Sequence, residues 1–319
     1  MAPMRNLSKR PNQPLWRLLG WVGAIACWWG QPALVWAEAP IAPRLEPVKI
    51  DQLAQPPAAV WQDLAGSQVI YLAEIHDRSA DVPIKLEVIH RTFQQVENSG
   101  GKVGQFSIAL EMFQQPVQPV INQYLAGEID EAELRDRTEF DQRWGYDWEI
   151  IAPILQWAKA NSVALVALNP PQEVTRQIAR QGLDRLEPDA WQWLPPRSDW
   201  NLNQSAYRAW LREIYDDIHQ QHGASTAAST DTDARFNGFW TVQVAWDETM
   251  AAGIARLLNR PGDRVVAILG RGHTLYGWGV PDRVARRKPG IVQRSILLGP
   301  LDESAKTRDG RSAGDYWWP

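Results

Sequence analysis

A single cysteine, Cys27, stands in the 319 residues, which excludes an internal disulfide and any cysteine-rich metal centre. Histidine is scarce as well, with five in all. No glycine-rich phosphate loop is present, since Gly270-Arg271-Gly272 is too short for that fingerprint. Serine- and cysteine-nucleophile signatures and an HExxH pair are missing, so an acyl-enzyme mechanism has no sequence support. Positive charge is not in excess: 33 Lys and Arg stand against 37 Asp and Glu, a formal net charge of −4. A chain of that sign carries no nucleic-acid footprint. Solenoid-type repeats are absent too.

What is present is ordinary for a globular protein: 45% hydrophobic and 22% charged residues. The length allows a sizeable core without covalent staples. Tryptophan is abundant at 18, and Trp16, Trp21, Trp28, Trp29 and Trp36 fall before residue 38. Residues 1–37 have the layout of a secretory signal peptide. Arg5, Lys9, Arg10 and Arg17 form a basic region without an acid, and Leu18 to Val35 form an apolar stretch. Val35-Trp36-Ala37 then places an aliphatic and a small residue at the −3 and −1 positions of a cut. Gly30, Gln31 and Pro32 break the stretch, which argues against a stable membrane span of about 20 residues. A retained N-terminal anchor and a lipoprotein cut before Cys27 are the other readings of this segment. Cleavage after Ala37 removes four positive charges and no negative ones, so −4 becomes −8. The expected location is outside the cytoplasm: periplasmic, membrane-associated or extracellular.

Residues 38–60 are proline-rich and aperiodic and read as a lead-in arm. Beyond them lie short apolar runs at Gln68 to Ala73, Phe106 to Leu110, Val163 to Leu168 and Arg264 to Leu269, with a weaker one at Ser295 to Leu298. Their length and Val/Ile/Leu content predict strands buried on both faces of a parallel sheet. Helical patterns separate them. The clearest has Val242, Trp246, Thr249, Met250, Gly253, Ile254 and Leu257 on one face. Alternating strand and helix predicts an α/β fold, a doubly wound, mostly parallel sheet with flanking helices over residues 61–300. Intervals 113–160 and 183–239 are too long for simple crossovers and are expected to form a smaller helical cap. Gly223 to Asp233 reads as a mobile polar loop, and residues 301–319 as a C-terminal tail.

The chemistry sits where the apolar runs stop. One ends in Tyr71-Leu-Ala-Glu-Ile-His76, another in Ala109-Leu-Glu111, and a third in Leu269-Gly-Arg-Gly-His273. Ligands of open α/β sheets bind outside the carboxyl ends of the strands, so these groups should meet on one rim. Two facing imidazoles beside carboxylates can ligate a metal, shuttle a proton or hold a porphyrin iron. Each residue also has a structural role open to it. Glu74 can cap the next helix or pair with Arg271, and Glu111 can form a buried ion pair with an arginine. His90 sits within a helical stretch, and His219 and His222 border the polar loop, as surface residues would.

The ordered motifs resemble those of the ChaN-like haem-binding family of iron-regulated lipoproteins. Ile70-Tyr-Leu-Ala-Glu-Ile-His-Asp77 is similar to the family's opening strand and Ala109-Leu-Glu-Met-Phe113 to its second. Trp144-Gly-Tyr-Asp-Trp148 with Ala152-Pro-Ile-Leu155 resembles its aromatic helix. Trp246-Asp-Glu-Thr-Met-Ala251, Gly270-Arg-Gly-His273 and Gly279-Val-Pro281 resemble its C-terminal block. The likeness runs through roughly residues 65–300 and extends to the superfamily of Tiki-type metalloproteases and erythromycin esterases, which share the strand-end glutamates and histidines. It implies an exported haem-binding protein of haem or iron handling, with His76, His273 or Tyr146 toward the cofactor. Three positions depart from the pattern: Ala73 replaces a usual glycine, Val82 a histidine and Ile151 a tyrosine.

The second reading is a hydrolase on the same rim. There Glu74, Glu111 and Arg271 carry catalysis, and a divalent metal or a carboxylate–histidine pair activates water. The partners expected are haem or another small molecule and no nucleic acid, with a homodimer and peripheral membrane association left open.

Overall fold

The structure, a computed structural model, describes residues 46–50, 58–221 and 229–319. The signal segment with Cys27, residues 38–45 and 51–57 of the lead-in arm, and residues 223–228 lie outside the described residues, as do the side chains of His219 and His222. Val48–Lys49 of the arm is a strand, Ala58 to Val60 open a helix, and Ser229 to Asp233 open a helix rather than continue a loop. The chain runs through β1 (Val48–Lys49), α1 (Ala58–Ala65), β2 (Val69–Glu74), α2 (Val82–Asn98) and β3 (Phe106–Gln114). It continues through α3 (Gln118–Leu125), α4 (Glu131–Arg137), α5 (Phe140–Arg143), α6 (Ala152–Ala160), β4 (Ala164–Asn169) and α7 (Gln172–Gln181). Then come α8 (Ser205–Gln221), α9 (Ser229–Leu257), β5 (Arg264–Gly270), α10 (Val280–Arg287) and β6 (Gln293–Leu298). A small hairpin of β7 (Thr307–Arg308) and β8 (Arg311–Ser312) precedes β9 (Tyr316–Trp318).

Seven strands form one parallel sheet in the order β1-β9-β6-β2-β5-β3-β4. Side chains alternate along a strand, so each strand feeds two cores. Ile70 and Leu72 of β2, Ile108 and Leu110 of β3, and Val266 and Ile268 of β5 point to one face. There Ile84, Val88 and Ile89 of α2 and Ile154 and Leu155 of α6 cover them. Val69, Tyr71, Ala109, Val265, Ala267 and Leu269 point to the other, under Met250 and Ile254 of α9 and Val280 and Val284 of α10. Apolar cover on both sides is why these strands read as continuous hydrophobic runs. The α/β fold expected from them is the one observed.

The intervals expected to form one cap divide differently. Within 113–160, α6 is a crossover helix on the main core, with Ile151, Ala152 and Ile154 buried there. Within 183–239, Tyr207, Trp210 and Tyr215 of α8 meet Phe236 and Trp240 of α9 in an aromatic core of their own. The C-terminal tail is likewise no free end: Tyr316, Trp317 and Trp318 pair with Ile296, Leu297 and Leu298 and extend the sheet. The tail escapes a pattern search because three residues are too few to show a period.

Candidate functional site

β2 and β5 run side by side in register, Ala73 opposite Leu269 and Glu74 opposite Gly270, with β3 beyond β5. The three strand ends therefore bring His76, Glu111 and His273 together, as their positions in sequence predicted. Glu111 is the hub. Its Oε1 is 3.3 Å from His273 Nε2 and 3.9 Å from His76 Nε2. Its Oε2 accepts from the Gly270 backbone N–H at 2.5 Å. Among the described residues no arginine pairs with Glu111, although Arg283 lies 3.8 Å from Asp247.

Each imidazole has its own carboxylate on the far nitrogen. His76 Nδ1 and Glu74 Oε1 are 2.9 Å apart, and the other Glu74 oxygen accepts from the buried ammonium of Lys85 on α2. His273 Nδ1 and Asp247 Oδ1 of α9 are 2.7 Å apart. The amide of Gln243 lies 3.0 Å from that ring nitrogen and donates to the Tyr207 hydroxyl at 3.0 Å, which in turn donates to the Gly272 carbonyl at 3.0 Å. Burial alone would disfavour the His273 imidazolium. Glu111 and Asp247 on its two sides outweigh that and hold its pKa up at about 10. Burial would also raise Glu111, but His273, then His76 and the Gly270 N–H, bring its carboxyl below the ordinary range. His273 is thus an imidazolium clamped between two anions.

Two glycines make room for this packing. A side chain on Gly270 would sit 2.6 Å from His76 Nε2, so the ring rests on bare backbone. At Gly279 a side chain would meet the His273 carbonyl oxygen at 2.2 Å. Both belong to motifs visible in the sequence, where their purpose could not be read.

Beyond the imidazoles the site is aromatic. Trp144 meets the His76 ring edge-on with centroids 4.7 Å apart, and Tyr146 lies 5.2 Å from the same ring. Tyr146 is 41% exposed, and among the described residues its hydroxyl has no hydrogen-bond partner. Trp246 of α9 is edge-on to His273 at 6.0 Å. Both indoles line a cleft of about 340 Å³ between the Met112 end of β3, α7 and α9.

The remaining candidates sit elsewhere. Arg271 does not pair with Glu74: it donates to the Pro300 carbonyl at 2.5 Å and the Gly299 carbonyl at 2.7 Å, and also to that of Leu298. It holds the end of β6 and is absent from the His76–Glu111–His273 group. Glu74 is no helix cap either. Lys85, Asp247 and Gln243 were missed, because a polar group inside an apolar helical pattern resembles a surface position until the helix is docked. Asp247 did stand within the Trp246-Asp-Glu motif. His90 is exposed, as expected. Among the described residues, no cluster of three His, Cys, Asp or Glu is arranged to hold a metal ion.

A family model described as haem-binding uptake, Tiki superfamily, ChaN matches residues 60–284. The chain belongs to this ChaN-like family. Among solved structures, this ChaN-like chain is similar to ChaN of Campylobacter jejuni, determined for its cofacial haem binding. The TM-score is 0.61 at 15% identity, covering 82% of this chain and 91% of that one, so the fold is shared nearly end to end. An erythromycin esterase EreC mutant in its open conformation matches at TM-score 0.42 and 12% identity, over 76% of this chain and 72% of that one, too distant to carry an argument. Among curated proteins, Protein RETICULATA-RELATED 5, chloroplastic, of Arabidopsis thaliana is 24% identical over 273 residues, 81% of this chain. The chain spans only 35% of that relative's length.

Proposed function

We propose that this ChaN-like protein binds haem against Trp144, Tyr146 and His76, and that it does so after export, in haem or iron handling. The observation that carries the reading is the Tyr146 phenol, exposed and unpartnered beside a partly exposed imidazole, in a chain of a haem-binding family. The donor set fits the group. Phenolate and imidazole both serve as axial ligands of haem iron. His273 is the poorer candidate, since carboxylates hold both its ring nitrogens. When bound, haem would supply the iron to be carried. The protein's residues orient it: Glu74, fixed by Lys85, holds His76 through Nδ1, with Nε2 against Glu111 and the Gly270 backbone and the ring edge against Trp144 and Tyr146. The indole and phenol rings give the porphyrin an apolar wall, and apolar burial stabilises by about 25 cal/mol per Å².

The Trp/Tyr-rich insertions were expected to close over the cofactor as a lid. Tyr207, Trp210 and Tyr215 of the second insertion are instead spent in an aromatic core of their own, and Trp191 and Trp193 pack on another cluster with Val174 and Ile178. Of the first, Trp144 and Tyr146 reach His76. An exposed face of this kind leaves room for a second copy, so a homodimer with facing Tyr146 surfaces is part of the reading.

Haemin titration of mature protein tests it. A shifted Soret band is expected, moved again by Tyr146→Phe and by His76→Ala, with light scattering reporting dimer on loading. An unchanged haemin spectrum would remove the reading. Mass analysis of exported protein should find Glu38 at the N-terminus; Met1 retained in a cytoplasmic fraction would remove the export claim.

One observation favours the hydrolase as second reading: Glu111 lies within reach of two imidazoles, of which His273 carries a proton to donate. A lowered Glu111 is a weak base, so water activation would fall to a bound divalent metal or to Glu74–His76. Metal-dependent hydrolysis by protein that leaves haemin unchanged would establish it.

A further inference from the structure

The cleft beside Trp144 has a chemistry of its own. Its ionisable lining residues are Arg143 and Arg176, and no Asp or Glu lines it. That is unusual for a chain in which acids outnumber bases, 37 to 33. Trp144, Trp246, Met112 and Val242 supply apolar wall. Arg143, on α5, is shared: it donates to Glu139 at 2.7 Å, to Gln114 at 2.9 Å and to Glu173 at 3.1 Å. Arg176, on α7, is less so: Glu173 feels its charge, but more weakly than that of Arg143. It donates to the neutral Gln172 amide oxygen at 2.9 Å, and among the described residues no carboxylate lies within ion-pair distance. An arginine held by a neutral neighbour keeps donors free for a planar anion, which guanidinium recognises with two parallel hydrogen bonds.

We propose that this cleft binds the carboxylate of a flat apolar acid, with Arg176 taking the carboxylate and the two indoles the apolar body. Under the haem reading, on which this part rests, the ligand edge received here is the propionate edge of the porphyrin. Trp144 connects the two places, since it touches His76 and Tyr146 on one side and lines the cleft on the other. The arrangement fixes which way round a porphyrin lies: carboxylates toward α7, iron toward Tyr146 and His76.

The test uses two pairs of probes that differ only in the acid. One is 2-naphthoate against 2-naphthylmethanol, the other protoporphyrin IX against its dimethyl ester, each followed by quenching of tryptophan fluorescence. Wild-type protein is expected to bind each acid about tenfold tighter than its neutral counterpart, the scale of one charge-assisted pair. Arg176→Gln should erase most of that preference, and Arg176→Lys should restore part of it. Ala179→Trp, at an exposed position of α7 on the cleft wall, should weaken acid and neutral probe together. Haemin bound to Arg176→Gln should keep the wild-type Soret maximum, because that band reports the iron ligands. Equal affinity for acid and neutral probes in the wild type would overturn the proposal, as would a preference that survives Arg176→Gln. Naphthoate bound through Arg176 by protein that ignores haemin would keep the cleft assignment and sink the haem reading instead.

Discussion

His273 illustrates how far a residue's chemistry depends on its neighbours. Free imidazole loses its proton near pH 6.5, but between Glu111 and Asp247 this one keeps it to about 10. The folded pKa lies above the unfolded value, so the contribution to stability is complete below about pH 6.5 and is lost as pH rises toward 10. The melting temperature should therefore fall between pH 7 and 10, and less so in His273→Gln. NMR titration should find the ring protonated at neutral pH, and Asp247→Asn should bring its midpoint down. A ring that titrates near 6.5 in the wild type would contradict the geometry. Gly270 makes a second case. Its backbone, at φ −61°, suits any residue, so Gly270→Ala is costly only through the His76 ring 2.6 Å from the new carbon. Overpacking of this kind costs about 1–3 kcal/mol. The variant should also shift the haemin spectrum as a His76 substitution does. Wild-type stability together with a wild-type spectrum would show that the ring does not rest there.

Among the elements, α2 and α3 do more than cover the sheet. Lys85 sits inside α2 at 1% exposure, and its ammonium meets Glu74 at the end of β2. Lys85→Met would leave the Glu74 carboxylate buried with its imidazole alone, and breaking such a pair from one side costs about 3–5 kcal/mol. Chemical denaturation should show that loss, and Lys85→Met with Glu74→Gln should recover part of it. On α3, the Gln118 amide donates to the Leu165 carbonyl at 2.8 Å and accepts from the Ala167 N–H at 2.8 Å. It thereby satisfies the outer edge of β4, which among the described residues has no further strand to pair with. Gln118→Ala should lower stability by about 1–3 kcal/mol, the cost of unmet backbone groups. Amide exchange should accelerate at Ala167 and stay unchanged on β2.

At the scale of the molecule, both ends of the described chain join one edge of the sheet. β9 pairs with β6 on one side and β1 on the other, and the Tyr316 hydroxyl donates to Asp63 of α1 at 2.5 Å. Removing residues 313–319 should therefore lower the melting temperature and expose the β6 edge to self-association, read by light scattering. A truncated protein as stable and monodisperse as the full chain would return those residues to the status of a tail.

The sequence alone was enough for five of the seven strands of the main sheet. Val/Ile/Leu runs such as Ile108–Leu110 and Val265–Leu269 are buried on both faces, and burial on both faces is a composition that can be read without coordinates. It was also enough for the meeting of His76, Glu111 and His273, because parallel strands deliver whatever ends them to a common rim. The surroundings of that rim were decided by tertiary structure alone. Arg271 is adjacent in sequence to the site motif, yet it turns to the carbonyls of residues 298–300. Asp247 is 26 residues from His273, and Lys85, though only nine from His76, reaches the site from a different element, α2. A short peptide has no preference for these pairings. They exist because docking α2 and α9 on the sheet removes water from buried charges, and each charge must then find its partner within the protein.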